Sequence, residues 1–152
     1  MTHRIAEAAI DPADRLRAII AVEVMLRMLR HAVDSFPGDD LETIVVLLTV
    51  AAASTSGHLR DPTLLRNLGE EHLPDVLHRP ISRRAVAAAT GLPRETVRRR
   101  VQALVDDGRL VADSRGVRTK TGIFARNRNL QFVRELGREL MIANERLRDR
   151  AG

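Results

Sequence analysis

Residues Ile81 to Lys120 read ISRRAVAAATGLPRETVRRRVQALVDDGRLVADSRGVRTK, and the order of signals in this stretch decides the fold. Ser82 is a helix N-cap, and Ala85, Val86 and Ala89 are expected to face inward from the short helix that it opens. Thr90-Gly91-Leu92 makes a tight turn, with glycine where positive φ is needed and Leu92 in the angle between two helices. Pro93 is suited to the first position of the next helix, because it lacks the amide donor that would go unpaired there. Helix, glycine turn and helix form a helix-turn-helix. After Asp107-Gly108, residues 109–112 read as a strand, 113–116 as a tight turn and 117–120 as a returning strand.

The second helix has a sharp division of faces. Val97, Val101, Leu104 and Val105 recur at i, i+4, i+7 and i+8, the stripe of a helix packed on a core. The opposite face centres on Arg99 and carries Glu95, Thr96 and Gln102. Arg98 and Arg100 flank it, and Arg94 projects from the N-terminal end. Residues 91–101, GLPRETVRRRV, hold four arginines and a single acid. A solvated face normally mixes its signs. A recognition helix, in contrast, keeps a greasy back on its domain and a cationic front for the major groove. In the hairpin, Arg115 sits at the tip, and Arg118 and Lys120 share one alternating face.

Charge over the whole chain follows the same division. The net charge of +5 resolves into +9 over residues 79–128 and −4 elsewhere. A basic module on a mildly acidic body is the footprint of a polyanion-binding surface. At 152 residues, 44% hydrophobic and 30% charged, the chain falls in the globular class. There is no cysteine, which excludes disulfides, thiolate catalysis and zinc-thiolate sites. No signal-peptide core and no apolar run of membrane-spanning length is present, so a cytoplasmic location and no membrane partner are expected.

Outside the module the chain reads as helical. Asp11 and Pro12 open a helix whose polar residues Glu23, Arg27, Arg30 and Asp34 form one narrow wet stripe on an otherwise apolar cylinder. Such a helix is either central to its own core or shared between two subunits. Asp40 caps the run LETIVVLLTVAAAS, whose length favours a buried helix over a strand. Residues 61–68 read as a short helix and 72–80 as a proline-bounded connector. In the last helix, 129–150, Leu130, Val133, Gly137, Leu140, Asn144 and Leu147 follow the spacing of paired helices; Asn144 either fixes register in a dimer or lies at the edge of a helix packed on its own domain. This gives three parts: a helical body over 1–78, the basic module over 79–122 and a C-terminal helix over 123–152.

The block 81–120 resembles the winged helix-turn-helix of bacterial transcription regulators. Within it, Arg94-Glu95-Thr96-Val97-x-Arg99 resembles the recognition helix of the cyclic-AMP receptor protein family. That resemblance implies that Arg94 and Arg99 donate to guanine and that Glu95 accepts from a cytosine amino group, with Thr96 beside them at the base edges. Pro93 stands where that family usually has serine, a departure at one backbone-phosphate contact. No β-roll precedes the module, so cyclic nucleotide binding is not implied. The element order is similar to that of MarR-type regulators, in which N- and C-terminal helices pair two winged domains.

The expected fold is mainly α, a winged helix-turn-helix with flanking helices that form a dimer interface. The expected function is sequence-specific binding of double-stranded DNA by a homodimeric transcription regulator. Ser82, Arg83, Arg84, Arg98, Arg100, Arg115, Arg118 and Lys120 are the candidates for phosphate contact. The alternative is a winged-helix module whose basic face docks an acidic protein. Glu95 repels phosphate and acidic protein alike, so base reading explains its position best. His58, His72 and His78, with Glu70, Glu71 and Asp75, match no metal-ligand spacing. No paired carboxylates or phosphate-cradling glycine loop point to an enzyme or a cofactor, and no motif supports a small-molecule effector. The polar cluster Ser54, Thr55, Ser56 and His58 reads as a helix end.

Overall fold

The apolar run that begins at Leu41 is a helix. The computed structural model describes residues 11–58, Thr63, 77–123 and 127–148, and α2 (Leu41–Thr55) lies at the centre of them. Asp40 caps it by accepting from the Thr43 amide at 2.9 Å and from the Thr43 hydroxyl at 2.7 Å. Ile44, Val46, Leu47 and Val50 are all buried. Tertiary burial therefore overrides the weak helix preference of the β-branched residues. The expected helix over 61–68 and the connector as far as residue 76 lie outside the described residues, apart from Thr63.

Around α2 sit α3 (Arg83–Thr90), α4 (Arg94–Asp106) and an antiparallel hairpin, β1 (Leu110–Asp113) and β2 (Gly116–Thr119). Ser82 accepts from the Ala85 amide at 3.1 Å and opens α3; Gly91, at φ 71°, closes it. Val86 and Ala87 face inward rather than Ala85 and Ala89. In so short a helix, turned by its packing on α2 and α4, the buried stripe is only two residues wide. Pro93 is the N-cap of α4 rather than its first residue, and no side chain caps the helix. The α2 residues share one core with α3, α4 and the hairpin, so packing runs unbroken across the boundary expected at residue 78.

The strands begin and end one residue away from their expected limits, because Asp113 pairs with Gly116 and only Ser114 and Arg115 remain in the turn. A third strand position comes from Ile81, whose amide and carbonyl exchange hydrogen bonds with Val117 at 2.8 and 2.9 Å. Gly116 lies beside this crossing at φ 141°, and a Cβ there would stand 2.5 Å from the Ile81 carbonyl oxygen. Only glycine fits such an approach. Behind the hairpin, buried His78 Nδ1 lies 2.9 Å from the Thr119 hydroxyl. The Thr119 amide donates to Ser54 Oγ at 3.4 Å, so the end of α2 is tied to β2.

Two longer helices complete the fold: α1 (Pro12–Ser35), capped by Asp11 as expected, and α5 (Asn127–Arg148). They run antiparallel, since Glu23 meets Arg146, Arg27 meets Glu139 and Phe36 meets Phe132. The two phenyl rings stand edge to face with centroids 5.4 Å apart. Arg27 Nε donates to Glu139 Oε2 at 2.7 Å, and this bond holds the Glu139 carboxyl below its ordinary pKa. The row expected on α5 to pair with another helix is not the one that meets α1. The face toward α1 carries Phe132, Leu136, Glu139 and Ala143, while Val133, Gly137, Leu140 and Asn144 are exposed. On α1, Ile19, Val22, Leu26, Leu29 and Val33 are also exposed and repeat at spacings of three and four. Among the described residues, no helix is long and apolar enough to cross a membrane.

Gly116→Ala is expected to lower stability by about 2 kcal/mol or more, because strain and collision with Ile81 act together. Gly91→Ala, with open space around its added Cβ, is expected to cost only about 1 kcal/mol of backbone strain. Urea denaturation of the two variants checks the contrast. Glu139→Gln is expected to lower the melting temperature near neutral pH. That difference should close on acidification below the ordinary glutamate pKa of about 4.3. A depressed folded-state pKa contributes stability above that value and loses it as pH falls through the folded value. Thermal melts over a pH series test this.

Candidate nucleic-acid interface

The turn between α3 and α4 is locked before any charge is placed. Thr90 donates its hydroxyl proton to the Val86 carbonyl at 2.9 Å and accepts from the Leu92 amide at 3.3 Å. Leu92 packs on the core. From there α4 runs with Val97, Val101 and Leu104 at 0% exposure. Those three side chains fix how the helix is rolled, and its charged residues point where the roll sends them.

Arg94, Glu95, Arg98 and Arg99 are exposed, and Thr96 is half-buried. Glu95 and Arg98 form a two-pronged pair, Nε to Oε2 at 2.9 Å and Nη2 to Oε1 at 2.6 Å. The Arg98 hydrogen bonds hold the Glu95 carboxyl below its ordinary pKa. Glu95 is thus ionised, and with four lone-pair positions it can accept a further donor while keeping Arg98. Arg94 and Arg99 make no side-chain hydrogen bond or ion pair with any described residue. With no side-chain cap on α4, its first amides also remain open to solvent or to an anion.

Arg100 is placed differently from expectation. Its side chain turns from the cationic face toward α2, where Nη2 meets Glu42 Oε2 at 2.9 Å and also contacts the Asp40 carboxylate. Arg100 projects about 60° from Val97 around the helix, which puts it at the border of the packed face. A guanidinium engaged by two carboxylates has little charge to offer a phosphate, so Arg100 leaves the list of phosphate candidates. Arg109 is held in the same manner. Asp39 takes both of its terminal nitrogens, and Asp107 takes Nε at 2.7 Å. Asp39, Asp40 and Glu42 form an acidic turn that sequence reading missed, because its partners lie 58 to 70 residues away.

The remaining candidates are spread over α3 and the hairpin. Ser82, Arg83 and Arg84 are exposed at the start of α3. The Ser82 oxygen is engaged as a cap, but its hydroxyl proton is still free to donate. Arg115 is exposed at the hairpin tip and leans on Asp113, with Nη2 to Oδ2 at 3.1 Å. Arg118 is half-buried, and Lys120 is exposed just past β2. Among the described residues, no group of three or more His, Asp or Glu is gathered as a metal site would require. Comparison with protein-family models, curated proteins and solved structures gives no match, so the functional reading rests on this geometry.

Proposed function

We propose that the chain is a sequence-specific, double-stranded DNA-binding regulator of transcription that acts as a homodimer. Residues 81–120 serve as its winged helix-turn-helix, with α4 in the major groove and the hairpin as a wing on the adjacent backbone. One observation carries this reading. The helix is sealed on its back by Val97, Val101 and Leu104 while Arg94, Arg99 and the Glu95–Arg98 pair are exposed on its front. Arg94 and Arg99 read guanine, Glu95 accepts from cytosine, and Thr96 packs at their edge. Arg98 steadies Glu95. Ser82, Arg83, Arg84, Arg115, Arg118 and Lys120 supply phosphate contacts.

Dimerisation is supported by bare apolar surface. Nine large apolar side chains on α1 and α5, Met25 and Met141 among them, are 41% to 67% exposed. A broad apolar surface of this kind suits a standard interface, to which each partner brings about 800 Å². The spacing of three and four on α1 suits a second helix laid alongside. Two-fold pairing then calls for an inverted-repeat site, with half-sites ~10 bp apart or a multiple of it.

Selection from random duplexes is the deciding experiment. A palindromic consensus is expected, and failure to enrich any sequence would overturn the reading in favour of docking to an acidic protein. On the selected duplex, Arg99→Ala should cost about 1–3 kcal/mol and relax preference at one base pair. Arg115→Ala should instead weaken binding to every duplex and flatten the slope of log K against log salt by about 0.9. In sedimentation equilibrium the wild type should be a dimer. Leu26→Glu with Leu29→Glu should give a helical monomer, since both side chains face water within one protomer. A variant that stays dimeric assigns the contact to another face.

A further inference from the structure

The acidic turn Asp39-Asp40-Leu41-Glu42 stands beside a helix whose proposed work is to meet a polyanion. Carboxylates so close to DNA oppose binding, so their position needs a reason. They are also a poor device for stability alone. Arg100 shares one terminal nitrogen between Asp40 and Glu42, yet its Nε is buried with no hydrogen-bond partner among the described residues. A well-packed apolar residue at the same place would leave no donor unsatisfied. Asp40 does not need Arg100 for its own fold, because capping α2 through Thr43 already occupies it. Its carboxyl is held below the ordinary pKa chiefly by the Thr43 hydroxyl, with Arg100 and Arg99 contributing. Asp40 is therefore a fixed negative charge at the edge of the reading face.

We infer that Asp40 and Glu42 determine DNA discrimination by α4, because they hold Arg100 against α2 and so withhold one cation from the phosphate backbone. This rests on the DNA-binding reading above and names residues on which its specificity depends. Arg98, Arg99 and Arg100 are consecutive, and a free Arg100 would give the helix another sequence-blind contact. Phosphate contacts carry no sequence information, and a free Arg100 finds a phosphate in any loose seating of α4 on DNA, whereas base contacts hold the specific seating fixed and leave it no added partner. An unmasked Arg100 thus adds to non-specific binding and lowers the ratio that lets a regulator find its site among competing DNA.

The experiment uses the full chain with two duplexes, the selected site and a scrambled one of equal length, over a salt series. Asp40→Asn with Glu42→Gln removes the charge while keeping side-chain shape, and asparagine remains a competent helix cap. This double variant is expected to bind the scrambled duplex several-fold more tightly. On that duplex its salt slope should steepen by about 0.9, and its ratio of selected to scrambled affinity should fall by the same several-fold factor. Adding Arg100→Gln to it should return the slope and the scrambled affinity to wild-type values. Arg100→Gln alone should leave the wild-type slope unchanged. A slope flattened by about 0.9 in that single variant would make Arg100 a phosphate contact and overturn the inference. An equal change on both duplexes by the double variant would also overturn it, since that reports structure or overall charge rather than discrimination. If the wild type binds the duplexes selectively and the double variant keeps both ratio and slope, this inference alone fails. If the wild type binds neither duplex, the DNA reading fails and takes this one with it.

Discussion

The whole arrangement depends on burial of one stripe of α4 against α2. Val97, Val101 and Leu104 are fully enclosed, and each such side chain contributes about 1.5–3 kcal/mol by leaving water. The charged contacts on the outer face are exposed, like the Glu95–Arg98 pair, and contribute little to stability. Apolar packing therefore decides the roll of the helix, and the charges take up whatever positions that roll leaves them. The turn at Thr90–Leu92 and the glycine at position 116 serve the same end, the first by reversing the chain at a positive φ and the second by letting the Ile81 backbone approach closely.

Arginines in this chain fall into two populations that share a chemistry and differ in surroundings. Arg94, Arg99, Arg83 and Arg84 carry their charge into solvent. Arg100 and Arg109 are compensated within the fold by acids from the turn between α1 and α2 and from the end of α4. A count of +9 over residues 79–128 thus overstates the cationic surface. Part of that charge is spent in fastening α4 and the hairpin to the turn that opens α2. The turn that supplies the acids also holds Phe36, which meets Phe132 on α5. One short segment is in this way tied to both the helical pair and the basic module.

How much of this was legible in the sequence varied with the range of the interaction. Caps at Asp11, Asp40 and Ser82, the glycine turn at Gly91 and the apolar stripe of α4 are local, and the chain spells them out within a few residues. The third strand position at Ile81 could not be read, because one isolated bridge has no periodicity. On α3 Val86 is inward as expected, but Ala85 and Ala89 are not, since eight residues give too little pattern to locate a face. On α5 the spacing of the seam was real, but the pattern could not say which of two adjacent apolar faces meets α1. The aromatic contact and Glu139 decided for the face that includes Phe132. Pairing of Asp40 and Glu42 with Arg100 was beyond reach, because nothing in a sequence says which distant acid a given arginine will find.

The pairing of α1 with α5 has a consequence for the order of events during synthesis. The elements from Leu41 to Thr119 pack on one another through α2 and can close as soon as the hairpin has left the ribosome. The α1 helix must wait for α5, about 100 residues later in the chain. At ordinary translation speed that is an interval of ~5–20 s. For that time its apolar cylinder lacks the cover that α5 provides. Nascent-chain chaperones would find α1 the stickiest segment to shield, and neighbouring ribosomes on one message would hold copies of it close together.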